Sequence, residues 1–384
     1  MNKNREKSRD PEQSNAHSSV GKSDQKKDHN SLRLRDFLPL ILAIPSALLV
    51  KVMIFNTFHV PTSSMEGTIT PGDRIIVEKW IFGPRFFFEN SVWRFPGWRS
   101  VQRGDILVFN VPREDSIFSD DPTISFYDQK LLGKEKEKSK SKTANYMPIP
   151  GRTPFVKRVV GVPGDSISVG RTGLLVNEEL PYSDSNTMVR CIISFSDTNT
   201  FDLQKRPLYK AGTQVNMNRS AREMRGIWKK GYLEGSRINA NGISEIRFAM
   251  NIPEIEKIPD AFGELKSLYN GQTITLPYRG WEQKVDSKFV DAYGSLVVRF
   301  DNPHAQIIEG KLFVKGTIVD RYTFRRDYYW VLGDNRPFSI DSRFWGMVPD
   351  DHIIGITRRV LWSKEPYLDF RNGFRWKRMW LGIL

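Results

Sequence analysis

The most apolar part of the chain is a continuous run at residues 37–55, FLPLILAIPSALLVKVMIF, in which Lys51 is the only charged side chain. About 20 apolar residues in a helix cross the hydrocarbon core of a bilayer, and this run has hardly any polar face. It predicts a single transmembrane helix, which we place at 37–58. A cleaved signal peptide and a buried helix of a soluble domain are the alternatives, and the long polar stretch before the run argues against the signal peptide.

The residues before this run predict a disordered tail at 1–36, because they include almost no large apolar side chains. Basic residues precede the run, and after Lys51 no further one occurs until Arg74. Those before it include Lys22, Lys26, Lys27, Arg33 and Arg35. Because basic flanks stay on the cytoplasmic side, we expect a cytoplasmic tail and an extracytoplasmic body.

After residue 58 the pattern changes to short runs rich in Val, Ile and aromatic residues, either alternating or continuously apolar. Such runs predict β-strands, here at 73–80, 105–111, 155–162, 174–176, 296–300, 312–319, 328–332 and 353–361. Gly-Asp pairs next to several of them mark turns. Helix-length amphipathic segments do not alternate with the strands, so we predict a mainly β, antiparallel body and disfavour a doubly wound α/β sheet.

Two stretches interrupt this body, which we place at 59–179 and 291–384. Residues 113–150 contain the charged run KEKEKSKSK, which is typical of a solvated loop. Residues 180–290 are more mixed and predict a smaller, β-rich inserted subdomain.

The composition of the chain argues against several classes of function. With 58 Lys and Arg against 44 Asp and Glu, the 384-residue chain carries a net charge of +14, which suits nucleic acid, anionic lipid or a soluble basic surface. Zinc-finger spacing and RNP-like motifs are absent, so we expect no nucleic-acid partner. The single cysteine, Cys191, excludes an internal disulfide, and the five histidines lack metal-site spacing. Aromatic and basic residues are mixed at 80–98 and 374–384, which predicts either a lipid interface or ordinary core packing.

Two segments could carry chemistry. Ser63 and Ser64 lie in a loop after Pro61, where serines are usually only loop residues, and the G-x-S-x-G elbow is absent. In the strand at 155–162, alternation places Lys157 and Arg158 on opposite faces, so one of the two cations faces the core. Burial lowers the pKa of a lysine, and a neutral amine can then activate a serine without histidine.

A third segment, LGDNRPFSIDSRFWG at 332–346, is dense in hydrogen-bonding side chains. It could be a polar turn held by an Asp–Arg pair. Alternatively, one of its hydroxyl groups, for which we select that of Ser339, orients the lysine amine.

Together these segments resemble the sequence boxes of bacterial type I signal peptidases, which use a Ser/Lys dyad. The sequence PTSSM at 61–65 matches the nucleophile box, and RGDI at 103–106, KRVVGVPGD at 157–165 and the segment at 333–346 match the others. Thr62, Gly67 and Pro337 differ from the residues that many members carry, although Thr62 keeps a hydroxyl.

The resemblance implies a membrane-bound serine endopeptidase of the bacterial cytoplasmic membrane that cuts exported preproteins after small residues, as in Ala-X-Ala. Ser64 would be the nucleophile and Lys157 the general base, with Thr62 at the oxyanion and Ser339, Asp341 and Arg343 as supporting residues. Substrate pockets would be lined by Phe58, Val60, Met65, Ile75, Val108, Phe155 and Val156. The implied partners are preprotein signal peptides and the lipid bilayer, with no metal or organic cofactor.

Three other interpretations stay open at this point. The first is an autoproteolytic Ser/Lys protease of the LexA type, which would carry a DNA-binding domain where this chain has its tail and apolar run. The second is a non-enzymatic, membrane-anchored β scaffold. The third is a Ser–His–Asp hydrolase that uses His304 or His352.

Overall fold

A computed structural model describes residues 42–43, 45–47, 51, 53–88, 91–118, 144–170, 173–179, 181, 188–195, 214–220, 243–249, 262–366, 368 and 373–383. The predicted tail at 1–36 and most of the predicted span lie outside these residues. Residues 42–43 and 45–47 are helical. Within the described ranges, no helix combines the length and the apolarity that a membrane crossing requires.

The strands are β1 (Phe55–His59), β2 (Asp73–Glu78), β3 (Arg85–Phe88), β4 (Ser91–Arg94), β5 (Ile106–Asn110), β6 (Ser116–Phe118), β7 (Ala144–Tyr146), β8 (Pro154–Gly161), β9 (Ser166–Gly170), β10 (Gly173–Val176), β11 (Met188–Phe195), β12 (Gln214–Ser220), β13 (Ile243–Ala249), β14 (Ile274–Thr275), β15 (Glu282–Lys284), β16 (Ala305–Ile308), β17 (Lys311–Val314), β18 (Thr317–Ile318), β19 (Arg321–Thr323), β20 (Tyr328–Leu332), β21 (Val348–Pro349) and β22 (Ile353–Ser363). The α-helices are α1 (Gly263–Tyr269), α2 (Ser287–Phe289) and α3 (Ser342–Trp345).

Seven strands form the main sheet, in the order β1-β2-β22-β5-β8-β20-β21. Every pairing in it is antiparallel. Strands β11, β12 and β13 form a separate antiparallel sheet within the predicted insertion. The predicted mainly β, antiparallel body is therefore confirmed, and six of the eight predicted strands end within two residues of the observed ones.

The main sheet is buried on both faces, as its central strand shows. All five residues of β5 are buried. Ile106 and Val108 belong to a smaller apolar cluster, whereas Leu107 and Phe109 belong to a larger one. Because successive side chains point to opposite faces of a strand, the two clusters lie on opposite sides of the sheet. This explains why the sequence of β5 is continuously apolar rather than alternating.

The prediction of a strand at 296–300 is wrong, because these residues are helical. Helix α2 starts after Asp286, which caps it by accepting a hydrogen bond from the Phe289 backbone at 2.9 Å. It continues as π-helical turns at Val290–Gly294 and Val297–Asp301. Most of the predicted strand is buried in the core, and in a run this short hydrophobic periodicity does not separate a buried helix from a buried strand.

Two predicted element boundaries also need correction. The strand predicted at 312–319 is a hairpin of β17 and β18, because the chain turns at Lys315 and Gly316, both with positive φ. The predicted span at 37–58 extends too far, because Phe55–His59 forms β1 and pairs with β2. The end of the apolar run thus belongs to the edge of the main sheet.

Part of the predicted inserted subdomain packs into the main core instead. Helix α1 buries Leu265 and Leu268 in the larger cluster, together with Phe262, Ile274 and Leu276. Residues at 262–289, within the predicted insertion at 180–290, therefore contribute to the larger apolar cluster. The sequence analysis did not predict α1, because the stretch is mixed in composition and a helix of seven residues gives only a short apolar pattern.

An ion pair without solvent access joins β8 to the segment after β20. Arg158 donates to both carboxylate oxygens of Asp334 at 2.8 Å, and the two side chains are 1% and 0% exposed. Thr68 donates a further bond to Asp334 at 2.7 Å. Removing one partner of such a pair leaves a buried charge uncompensated.

We expect Asp334→Ala to lower the free energy of unfolding by about 3–5 kcal/mol, because it leaves the buried charge of the Arg158 guanidinium without its counter-ion. The control is Arg321→Ala, whose pair with Glu282 is largely exposed and should contribute less than about 1 kcal/mol. Urea denaturation of the two variants in detergent measures both changes. Equal losses in the two variants would contradict this account.

Candidate active site

Ser64 lies in the loop between β1 and β2, whose main chain is held from two sides. Within the loop, Ile69 donates its backbone N–H to the Met65 carbonyl at 2.9 Å, and the Met65 side chain is buried in the smaller cluster. From outside, Asn335 donates its backbone N–H to the Ser64 carbonyl and its side-chain amide to the Ser63 carbonyl, both at 3.1 Å. The position of Ser64 is thus fixed through its backbone.

Gly333 lies where this loop meets the segment after β20. A Cβ atom at this position would lie 2.2 Å from Ser339 Oγ and 2.4 Å from the Ser64 carbonyl oxygen. Real Cβ atoms do not approach other atoms so closely. The contact between the two segments therefore requires glycine.

Lys157 extends from β8 to the Ser64 side chain. Its Nζ donates hydrogen bonds to Ser64 Oγ at 2.7 Å and to the Val156 carbonyl at 3.0 Å, and the residue is 3% exposed. Burial lowers the pKa of Lys157 from 10.5 to about 8, while the Asp341 carboxylate acts in the opposite direction and the Arg113 guanidinium in the same one. In its neutral form the amine can accept the proton of the adjacent hydroxyl.

Both cations of β8 are buried, whereas the sequence predicted that one of the two would face the core. Arg158 is paired with Asp334, but within the described part of the chain no carboxylate forms a salt bridge with Lys157. Opposite charge nearby favours the charged form of a base. The two neighbouring side chains therefore have different roles: Arg158 stays charged and Lys157 becomes easier to deprotonate.

Thr62 also reaches Ser64, with its Oγ1 3.5 Å from Ser64 Oγ. The Ser64 backbone N–H donates no hydrogen bond to any described residue. Two donors, the N–H group and the threonine hydroxyl, are therefore available next to Ser64 Oγ. A developing oxyanion needs donors of this kind.

Asp341 and Arg343 form a buried pair at the start of α3. Arg343 donates from Nε to Asp341 Oδ1 at 2.8 Å, and the Gly333 backbone N–H donates to Asp341 Oδ2 at 2.9 Å. Burial alone would raise the pKa of Asp341, but the Arg343 charge and these hydrogen bonds hold it below its usual value. Asp341 is thus a carboxylate at neutral pH, and its charge acts on Lys157.

Among the described residues, Lys157 Nζ bonds to Ser64 Oγ and to the Val156 carbonyl, and it makes no hydrogen bond to Ser339, the residue that the sequence analysis expected to orient it. The Ser339 Oγ is buried near the Ser64 carbonyl and the Asp341 carboxylate. The Ser339 carbonyl accepts a bond from Arg343 at 3.2 Å. The structure therefore holds Ser339 by its main chain and leaves the hydroxyl near, but not bonded to, the dyad.

A cleft of about 300 Å³ opens beside the dyad. Six of the seven residues that the resemblance assigned to substrate pockets line it: Phe58, Val60, Met65, Val108, Phe155 and Val156. Ile75 does not line it, because it is 0% exposed and packs in the smaller cluster. Its neighbours in β2, Arg74 and Ile76, are partly exposed, whereas Ile75 points into the core.

The sequence reasoning missed other residues of the cleft, namely His59, Pro61, Thr153, Pro154, Phe338 and Ile340. Phe338 and Ile340 are 58% and 47% exposed, whereas the residue that follows each of them, Ser339 and Asp341, is buried. The alternation of apolar and polar side chains at 338–341 was the available signal.

A histidine-based triad is contradicted by the positions of both candidates. His352 is buried and bonded to Asp351 at 2.7 Å and to Arg152 at 2.9 Å. Burial lowers the pKa of His352 to about 4. Neither His352 nor His304 lines the cleft or bonds to Ser64.

Comparison with known proteins identifies the family. A family model described as "Signal peptidase, peptidase S26" matches residues 34–217 and 269–362. The chain belongs to this signal peptidase family. The two matched ranges include Ser64, Lys157 and the segment at 333–346.

Known signal peptidases are similar over most of the chain. Signal peptidase I of Buchnera aphidicola subsp. Baizongia pistaciae is 23% identical over 320 residues, which cover 83% of this chain and 72% of that protein. Signal peptidase I of Haemophilus influenzae is 22% identical over 338 residues, which cover 87% of this chain and 71% of that protein. The alignment with a crystal structure of a signal peptidase I from Enterococcus faecalis covers 67% of this chain and 97% of that chain, at 15% sequence identity and a TM-score of 0.21.

Family and relatives together define the activity. This signal peptidase is a serine endopeptidase that removes signal peptides from preproteins. The LexA-type and scaffold interpretations are therefore set aside. Within the described residues, no group of three or more His, Cys, Asp or Glu side chains has a metal-binding arrangement.

The pKa of Lys157 predicts how this signal peptidase responds to pH. Because a general base must be neutral, kcat/KM should rise with pH and reach half its maximum near pH 8. Below that it should fall about tenfold per pH unit. Measuring preprotein cleavage from pH 6 to pH 10 tests this.

A charge variant gives the control. The Arg113 guanidinium lowers the pKa of Lys157, so Arg113→Gln should move the midpoint of the profile to higher pH. A profile without an acidic limb, or an unshifted midpoint in the variant, would show that another group controls the rate.

Proposed function

We propose that Ser64 is the nucleophile and Lys157 the general base with which this signal peptidase cuts preproteins. The contact of 2.7 Å between Lys157 Nζ and Ser64 Oγ, in a site that depresses the lysine pKa, carries the proposal. Ser64 Oγ attacks the scissile carbonyl while Lys157 takes its proton. Lys157 returns that proton to the leaving amine, and a water molecule then hydrolyses the acyl-enzyme.

Charge develops on the carbonyl oxygen when Ser64 attacks. We assign its stabilisation to the Ser64 backbone N–H and the Thr62 hydroxyl, since both lie beside Ser64 Oγ. A donor of this kind contributes on the order of 3 kcal/mol to the transition state. Asp341 and Arg343 support the dyad through the field at Lys157, and Ser339 packs beside the Ser64 carbonyl.

The substrate binds as an extended strand beside β8. One edge of β8 pairs with β5 along residues 154–158, whereas β20 pairs with the other edge only at 158–161. Among the described strands, none pairs with that edge at 154–157, and a peptide can add to it there by main-chain hydrogen bonds. Shallow apolar pockets beside this edge, lined by Val60, Met65 and Val156 among others, suit small side chains such as those of Ala-X-Ala.

The protein works at a lipid surface, with the run at 37–55 as its anchor, the tail in the cytoplasm and the body outside. Large aromatic side chains support this placement, because several are exposed in the two segments that the sequence marked. Trp98, Trp376 and Trp380 are 81%, 71% and 56% exposed. Tryptophan favours the boundary between headgroups and acyl chains.

Removing either member of the dyad should abolish cleavage. Ser64→Ala and Lys157→Met are each expected to lower kcat/KM by about 10⁴-fold or more, since nucleophile and base act as one unit. The assay is cleavage of a preprotein with an Ala-X-Ala site by the full chain in detergent.

Ser63→Ala is the matched control, because Ser63 lies in the same loop and contributes only its carbonyl to the contacts described. It should keep its activity within about threefold. Wild-type cleavage by Ser64→Ala would overturn the assignment of the nucleophile, and loss of activity in Ser63→Ala would point to the wrong serine.

Fluorescence quenching tests the lipid contact. With the full chain in vesicles whose acyl chains are brominated, Trp98→Phe, Trp376→Phe and Trp380→Phe together should remove most of the quenching of tryptophan emission. Trp330→Phe is the control, because Trp330 is 0% exposed. Unchanged quenching in the triple variant would place these side chains in water.

A further inference from the structure

The short helix α3 positions two charged groups near the dyad. Asp341 caps it, and Arg343 lies in its first turn. Of the charged side chains around Lys157, Asp341 has the largest effect on it. A displacement of α3 would therefore change both the electrostatic field at the lysine and the packing of Ser339.

Helix α1 contacts α3 through Tyr269. The Tyr269 hydroxyl donates a hydrogen bond to the Arg343 carbonyl at 2.7 Å. Since α3 has only four residues, this carbonyl has no partner within the helix, and a buried carbonyl without a partner is unfavourable. Burial raises the pKa of Tyr269, so the hydroxyl remains a donor throughout the physiological range.

Glu264, at the other end of α1, contacts the residues that follow α3. A Cβ atom at Gly346 would lie 2.2 Å from Glu264 Oε1, and the Met347 backbone N–H donates to the carboxylate. Gly346 has a φ of 82°, which favours glycine. The carboxylate thus lies directly against the chain reversal that ends α3.

Glu264 is costly to bury. It is 1% exposed, and its Oε2 has no hydrogen-bond partner among the described residues. Burial raises its pKa to about 7, against the effect of Arg299. A leucine would fill the same space without this penalty. The contact with Gly346 and Met347 is the interaction that a leucine would lose.

We propose that helix α1 is a positioning element of the active site, in which Tyr269 and Glu264 hold the two ends of α3 and thereby fix Asp341 and Arg343 relative to Lys157. The proposal rests on the proposed roles of Ser64 and Lys157. Tyr269 and Glu264 touch neither substrate nor reacting atoms. Leu265 and Leu268 anchor α1 in the core, which gives α3 a rigid support.

Kinetics of the full chain in detergent test this. Tyr269→Phe should lower kcat about tenfold and leave KM within twofold, because the cleft itself is unchanged. It should also move the midpoint of the pH profile to lower pH, because Asp341 and Arg343 are displaced together and Asp341 raises the pKa of Lys157 more than Arg343 lowers it. Glu264→Leu should act in the same direction, and Glu264→Gln, which keeps an oxygen for the Met347 N–H, should restore most of kcat.

Tyr322→Phe is the matched control. It removes the hydroxyl of a buried tyrosine that donates to Asp301 at 2.6 Å, in the same core but without contact to α3. It should lower the thermal unfolding temperature without changing kcat or the pH midpoint.

Tyr269→Phe that lowers only the unfolding temperature, as the control does, would overturn the proposal. So would a Glu264→Gln variant no more active than Glu264→Leu. Ser64→Ala is assayed in parallel, and full activity in that variant would refute the proposed dyad rather than the role of α1.

Discussion

The amine of Lys157 is kept 2.7 Å from Ser64 in a site with almost no access to water. An amine in such a place loses hydration of its charged form, and this loss makes it a usable base near neutral pH. The adjacent residue, Arg158, is buried too but is neutralised by Asp334. The proposed role of Lys157 as a base depends on the pairing of Asp334 with Arg158, because a salt bridge at Lys157 would keep the amine protonated.

One segment after β20 meets most of these requirements. Asp334 neutralises Arg158, Asn335 holds the main chain at Ser64, and Asp341 adjusts the field at Lys157. Gly333 allows the segment to approach Ser64, and Gly346 turns the chain away again against Glu264. The density of polar residues at 332–346 therefore reflects several separate contacts, each with a different partner.

Much of this arrangement could be predicted from the sequence, and the failures have physical causes. Turn residues and apolar runs indicated five of the seven strands of the main sheet, and the resemblance singled out Ser64 and Lys157, which the structure brings into contact. The run at 296–300 failed because a short buried helix and a short buried strand are equally apolar. The absence of a hydrogen bond between Ser339 and Lys157 and the inward position of Ile75 both depend on packing between distant segments. The contribution of α1 depends on packing too, since nothing in the sequence near Glu264 indicates that it meets Gly346.

The hydrogen bond from Asn335 to the Ser63 carbonyl joins residues 272 positions apart. A site closed by contacts of such long range forms late in folding, because the intervening chain must first be ordered. During synthesis, the loop with Ser64 emerges long before the segment that holds it. A growing chain therefore carries Ser64 before the contacts that fix its main chain can form. A protease that acts on other newly made chains is in this way kept inactive until its own sheet is complete.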